Sequence, residues 1–117
     1  MLLDYGCGDG TFLSLVAPLF EKAVGADAAV GQLEDCRRRL GENQNLEFLP
    51  VSGLTADEFN AKFDVIMCME TLEHCLPDTV ALILSDLKRL CAPTGKIVIS
   101  VPVETGLSFL VKLIVRK

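Results

Sequence analysis

The chain has 117 residues, half of them hydrophobic and 23% charged, with a formal net charge of −5. That is ample apolar material for one folded domain over residues 1–117, and it excludes a disordered chain. The acidic balance argues against a nucleic-acid backbone as partner, because phosphates are repelled where no basic patch intervenes.

Met1 leads straight into an apolar run with no basic start or cleavage site, so no signal peptide is read. The apolar stretch 106–117 is far too short to span a bilayer. The five cysteines, Cys7, Cys36, Cys68, Cys75 and Cys91, are odd in number, form no Cys-x-x-Cys and mostly sit in apolar runs. They read as small buried residues of a soluble, cytoplasmic protein rather than as disulfides. Cys68, His74 and Cys75 lie close in sequence but lack a fourth ligand, so no metal is expected.

Taken in chain order, short apolar runs alternate with helical patterns. A first strand over about Met1–Tyr5 carries Asp4 near its end. Glycines follow at positions 6, 8 and 10, around Cys7 and Asp9, and Asp9 reads as a turn residue. A helix begins near Thr11, with Leu13, Val16, Ala17 and Phe20 at core-facing spacing. Pro18 should kink it or end it early. A second strand over about Lys22–Ala26 runs into Asp27.

The next helix spans about Ala29–Leu40, with Val30, Leu33, Cys36 and Leu40 inward and Gly41 as its stop. Arg37, Arg38 and Arg39 close it, where cations suit the helix dipole. An acidic substrate is the other reading of that run. Leu46–Val51 forms a third strand and Phe63–Met69 a fourth. A long helix starts near Pro77 and runs to about Cys91, with Val80, Ile83, Leu87 and Leu90 as its apolar stripe. Lys96–Val101 is a fifth strand, closed by Pro102.

Strands separated by helices predict an α/β fold. The expected architecture is a Rossmann-like, doubly wound parallel sheet ordered 3-2-1-4-5. Its ligand crevice then falls between strands one and four, at their carboxyl ends. The glycine turn and the end of strand four both lie there.

Two motifs carry a resemblance. Asp4-Tyr5-Gly6-Cys7-Gly8-Asp9-Gly10 resembles the first motif of class I S-adenosylmethionine-dependent methyltransferases. Its glycine spacing is not the Gly-x-Gly-x-x-Gly of nicotinamide-binding domains, which sets a dehydrogenase aside. The run Phe63 to His74 is similar to the fourth-strand motif of small-molecule methyltransferases, including the ubiquinone-biosynthesis O-methyltransferases. The resemblance implies S-adenosylmethionine as cofactor and a small-molecule acceptor, methylated at oxygen.

It also implies roles. Gly6, Cys7, Gly8 and Gly10 would form the backbone cradle. Asp4 would serve the methionine end of the cofactor, although it also reads as an acceptor that merely fastens the turn. Asp27, about twenty residues after the glycines, would accept both ribose hydroxyls; capping the following helix is the competing reading. Ser52 is the nearest match to the polar residue that faces the adenine. Leu54 and Val30 either sandwich the ring or belong to the core. Cys68, Met69 and Glu70 would run along the methionine side. His74, the sole histidine, is the candidate general base, with packing as its plain alternative. Glu73 is a weak candidate to pair with it, and Glu104 for an acceptor contact.

In that family the sheet usually continues with two further strands. The chain therefore reads as truncated before them, with strand five as a bare edge. Such an edge favours a homo-oligomer, for example a homodimer. The apolar tail 107–117 reads as a helix on the sheet, an association surface or an amphipathic membrane contact. The rival to an enzyme is a catalytically silent cofactor-binding or assembly module.

Overall fold

The computed structural model describes residues 1–41, 45–69, 71–104 and 108–116, with residues from 101 on described by their backbone. The strands are β1 Leu2–Tyr5, β2 Ala23–Asp27, β3 Leu46–Pro50, β4 Phe63–Met69, β5 Cys91–Glu104 and β6 Ser108–Arg116. The helices are α1 Thr11–Val16, α2 Val30–Leu40 and α3 Pro77–Leu90.

These strands form one sheet in the order β3-β2-β1-β4-β5-β6. The first five are parallel, in the expected order 3-2-1-4-5. The central strand β1 is buried on both faces, which is why it reads as an unbroken apolar run with a single carboxylate. The strand order reverses between β1 and β4.

Local chemistry sets the helix ends. Pro18 does shorten the first helix: α1 stops at Val16 and tightens into a 3-10 turn at Ala17–Leu19. The arginine run is held locally. Arg37 donates to the carbonyl of Phe48 at 2.7 Å, Arg38 pairs with Asp35, and Arg39 donates to the carbonyl of Asp9. Gly41 ends α2 in a right-handed conformation (φ −68°), donating its N–H to Arg37 at 2.8 Å.

Apolar side chains fill both sides of the sheet. On one side α3 lays Ile83, Leu87 and Leu90 over Leu3, Tyr5, Ile66 and Ile97. There Phe59 stacks on Phe63 with ring centroids 6.1 Å apart. On the other side α1, the 3-10 turn after it and α2 bring Leu13, Ala17, Leu33 and Cys36 against Leu2, Phe48 and Met67. Cys7, Cys36, Cys68 and Cys91 are buried and Cys75 is half-buried.

Two expectations are corrected. Val30 is not inward but 57% exposed. The buried stripe of α2 centres on Leu33 and Cys36, and Val30, in the first turn, falls off its edge. The tail is not a helix on the sheet. From Ser108 to Arg116 it is β6, paired antiparallel with β5 from Glu104 back to Lys96. The edge of β5 is thus covered by the chain itself, the usual remedy for unpaired backbone groups. Among the described residues no helix is long and apolar enough to cross a membrane.

Candidate functional site

The site begins where β1 ends. The N–H groups of Gly6 and Cys7 both donate to the carbonyl of Ala26, at 2.7 and 2.9 Å, and Gly10 donates back to Cys7 at 3.0 Å. The chain therefore folds tightly against the end of β2. It does so with Gly6, Gly8 and Gly10 at φ +84°, +56° and +77°. That is the left-handed region, which side chains disfavour, so the alternation of glycines is a backbone requirement.

The three glycines differ in what surrounds them. A Cβ on Gly6 would lie 2.4 Å from Oγ1 of Thr71, so the loop after β4 rests directly on the turn. A Cβ on Gly10 would crowd Cys36 and Leu40, each at 3.1 Å. Nothing lies within 4 Å of the corresponding position on Gly8. Gly8 is the bare backbone of the turn.

Asp27 ties this turn to the next element. Its Oδ2 accepts from the N–H of Gly8 at 2.9 Å and its Oδ1 from the N–H of Ala29 at 2.8 Å. The carboxylate thus fastens the approach to α2 while remaining half-buried at the end of its strand.

Asp4 lies beside Gly25 of β2 and Met67 of β4 in the sheet register. It is only 3% exposed, and among the described residues no hydrogen bond reaches its carboxyl group. Burial first, and the Asp27 charge second, push it up to about 7.

A cleft of about 450 Å³ opens at the carboxyl ends of the strands. Tyr5 and Gly6 line it from β1 and its turn, Asp27 and Ala28 from β2, and Val51 from the end of β3. Met69 enters from β4, Thr71 and Cys75 from the segment that follows it, and Thr79 and Ile83 from α3. Its size lies within the roughly 300–1,000 Å³ of small-molecule sites. Its walls are mostly apolar, with a few polar groups at the glycine turn and at the mouth of α3.

Other expected residues sit elsewhere. Cys7 is buried beneath the turn, and burial pushes its thiol well above the usual range. Cys68 is buried against Leu3 and Tyr5, with its thiol pushed up to about 11 by the same cause. Ser52 is exposed in the 3-10 helix after β3, where its carbonyl accepts from the Thr55 hydroxyl. Leu54 belongs to the core. Glu70 lies outside the described residues, and so does the side chain of Glu104. The His74 side chain is 80% exposed, with Nε2 3.6 Å from Oε1 of Glu73, and it does not line the cleft.

Tyr5, Thr71, Cys75, Thr79 and Ile83 are wall residues that no local pattern in the sequence marks as such. Ile83 carried only a core signal, and the helix stripe gives no hint that its first turn overhangs a cleft.

The methyltransferase-domain family matches residues 3–97, most of the chain. The chain belongs to this family. This methyltransferase-domain chain is 35% identical over 101 residues to the ubiquinone biosynthesis O-methyltransferase of Idiomarina loihiensis, covering 85% of this chain and 41% of that protein. A second such enzyme, from Histophilus somni, is 36% identical over 102 residues, with 41% of its length covered. The chain spans about two-fifths of the length of these curated relatives.

Among solved structures, PKMT2 from Rickettsia typhi in complex with AdoHcy is 28% identical with a TM-score of 0.73, over 90% of this chain and 21% of that one. The PH0226 protein of Pyrococcus horikoshii shares the fold at a TM-score of 0.76 and 22% identity, over 86% of this chain and 48% of that one. The resemblance carried by the glycine turn and the fourth-strand motif is thereby borne out.

Proposed function

We propose that the chain forms the cofactor-binding core of an S-adenosylmethionine-dependent methyltransferase that acts on a small molecule, at oxygen. One observation carries this reading: the cleft at the carboxyl ends of β1 and β4 is bounded by Gly6 of the glycine turn and by the Asp27 carboxylate at the end of β2, which also holds Gly8.

The groups present suit the cofactor. Gly8 leaves open space for close approach to backbone, and Asp27 is an anion at the level where a ribose diol would be met. Asp4, to which no described residue donates a hydrogen bond, suits a cationic amino group. Val51, Met69 and Ile83 offer apolar walls for the adenosyl part. When bound, the cofactor supplies a sulfonium methyl that leaves in line towards a nucleophile. The chain's part is to hold and orient it and to exclude water from the inner wall. His74, paired with Glu73, would take the proton of a hydroxyl acceptor from the solvent side. The oxygen acceptor is suggested by the printed name of the curated relatives.

A silent cofactor-binding or assembly module is the second reading, favoured by the exposure of His74 away from the cleft. A thermal-shift titration with S-adenosylhomocysteine tests the shared premise: a rising melting temperature is expected, and no stabilisation at high ligand would remove it. Radiolabelled methyl transfer to a panel of hydroxyl-bearing acceptors then separates the two, because the silent module binds and transfers nothing.

A further inference from the structure

We propose that Cys36 and Arg39 are positioning residues for cofactor binding, holding the carbonyl groups of Gly8 and Asp9 from one face of α2 and so setting the shape of the glycine turn. The inference rests on the cofactor reading above and deepens it, because it makes α2 part of a site whose cleft that helix does not line.

The helix and the turn match residue by residue. The Cys36 thiol donates to the carbonyl of Gly8 at 3.3 Å, and the Arg39 guanidinium donates to the carbonyl of Asp9. Leu40 completes the contact beside Gly10, where a Cβ on the glycine would meet its side chain at 3.1 Å. Residues three and four apart share a helix face, so Cys36, Arg39 and Leu40 follow Gly8, Asp9 and Gly10 in order. Cys7, the other thiol nearby, stands off at 3.9 Å from the same Gly8 oxygen.

A second grip comes from β2. The N–H of Gly8 donates to Asp27, whose residue lines the cleft. Gly8 is therefore held by its carbonyl from the helix and by its N–H from the cleft wall. A trans peptide sends its C=O and N–H in opposite directions, so fixing the Gly8 carbonyl on Cys36 turns the Asp9 N–H away from α2. Of the N–H groups from Gly6 to Gly10, that of Asp9 alone has no acceptor among the described residues. Glycines at 6, 8 and 10 leave this segment many shapes as a free chain. Two carbonyl bonds select one shape before the ligand arrives, and preorganisation of that kind is read as affinity.

The test measures S-adenosylhomocysteine affinity by calorimetry, well below the melting temperature, beside the melting temperature of each unliganded variant. Arg39 is exposed, so Arg39→Ala should fold. Its affinity should fall about three- to tenfold, the effect of roughly one hydrogen bond. Arg38→Ala is the control. It removes the same charge from the same helix turn, where Arg38 pairs with Asp35 at the surface, and should leave affinity unchanged. Cys36→Ala should weaken binding by a similar factor. Cys36→Ser keeps a donor and should restore part of the affinity, although both variants replace a fully buried thiol. Should the Cys36 variants fail to fold, the two arginine variants still decide.

Unchanged affinity in Arg39→Ala overturns the proposal. So does an equal loss in Arg38→Ala, which would assign the effect to charge, or a Cys36→Ser that binds no better than Cys36→Ala. If the unaltered chain binds no S-adenosylhomocysteine, the cofactor reading falls and this inference with it. Binding that survives in the Arg39 and Cys36 variants removes this inference alone.

Discussion

The N–H of Gly8 lies 2.9 Å from Oδ2 of Asp27, so the turn after the first strand and the end of the second are locked by one charge-assisted hydrogen bond. The other oxygen of the same carboxylate holds Ala29 at the approach to α2. Asp27→Asn should disturb both contacts, since an amide has one acceptor oxygen where the carboxylate has two. We expect a stability loss of about 1–2 kcal/mol. Affinity for S-adenosylhomocysteine should fall at least about tenfold, the worth of roughly one charged hydrogen bond. Chemical denaturation and calorimetry check the two numbers separately.

Gly6 and Gly8 share a left-handed backbone but not their surroundings, and alanine at each should separate stability from binding. Gly6→Ala combines a left-handed alanine with a collision at Thr71, and should cost about 2–4 kcal/mol. Adding Thr71→Ala removes the colliding hydroxyl, so the double variant should recover part of that loss. Gly8→Ala meets open space and should cost only about 1 kcal/mol. Its methyl would nonetheless stand in the cradle, so binding of S-adenosylhomocysteine should be abolished. Retained affinity in Gly8→Ala would remove the cradle from the site.

The buried Asp4 makes the ligand-free protein sensitive to pH. Burial and the neighbouring Asp27 charge push its carboxyl up to about 7 in the folded chain, well above the ordinary aspartate value of 3.8. Between those values the folded state holds the proton and the unfolded state does not, so stability falls as pH rises. The contribution is fully present below the unfolded value and lost once pH passes the folded one, an effect of at most about 4 kcal/mol. Melting temperature should therefore drop between pH 5 and pH 8, and Asp4→Asn should reduce that drop. An identical drop in the variant would assign it to other groups.

His74 stands outside the cleft wall, and its two candidate roles diverge on substitution. As the general base of the proposed reaction, His74→Asn should slow methyl transfer about 10²–10⁴-fold. The melting shift produced by S-adenosylhomocysteine should stay the same, because no cleft contact is removed. A variant with full transfer rate would leave the histidine as a surface residue.

Much of the fold was legible because its signals are local. Apolar runs of strand length separated by helical stripes identify a parallel α/β sheet, and Pro18 and Pro77 mark where helices must end or begin. The glycines at 6, 8 and 10 were legible for the same reason, since a left-handed backbone leaves its mark in composition. The apolar tail was not legible in this way. A continuous apolar run suits a helix or a strand alike, and only the open edge of β5 decided for a strand.

The sequence by itself determined the order of the five parallel strands, the glycine turn and the family, because these rest on motifs and spacing along the chain. The tertiary structure alone decided what those residues face. It set Gly6 against Thr71, Gly8 against open space, and Asp4 beside Asp27. It also turned His74 outward and brought Thr79 and Ile83 of α3 over the cleft. Burial and charge pairing are properties of distance in space, and residues far apart in the chain acquire them only when the sheet brings their strands together.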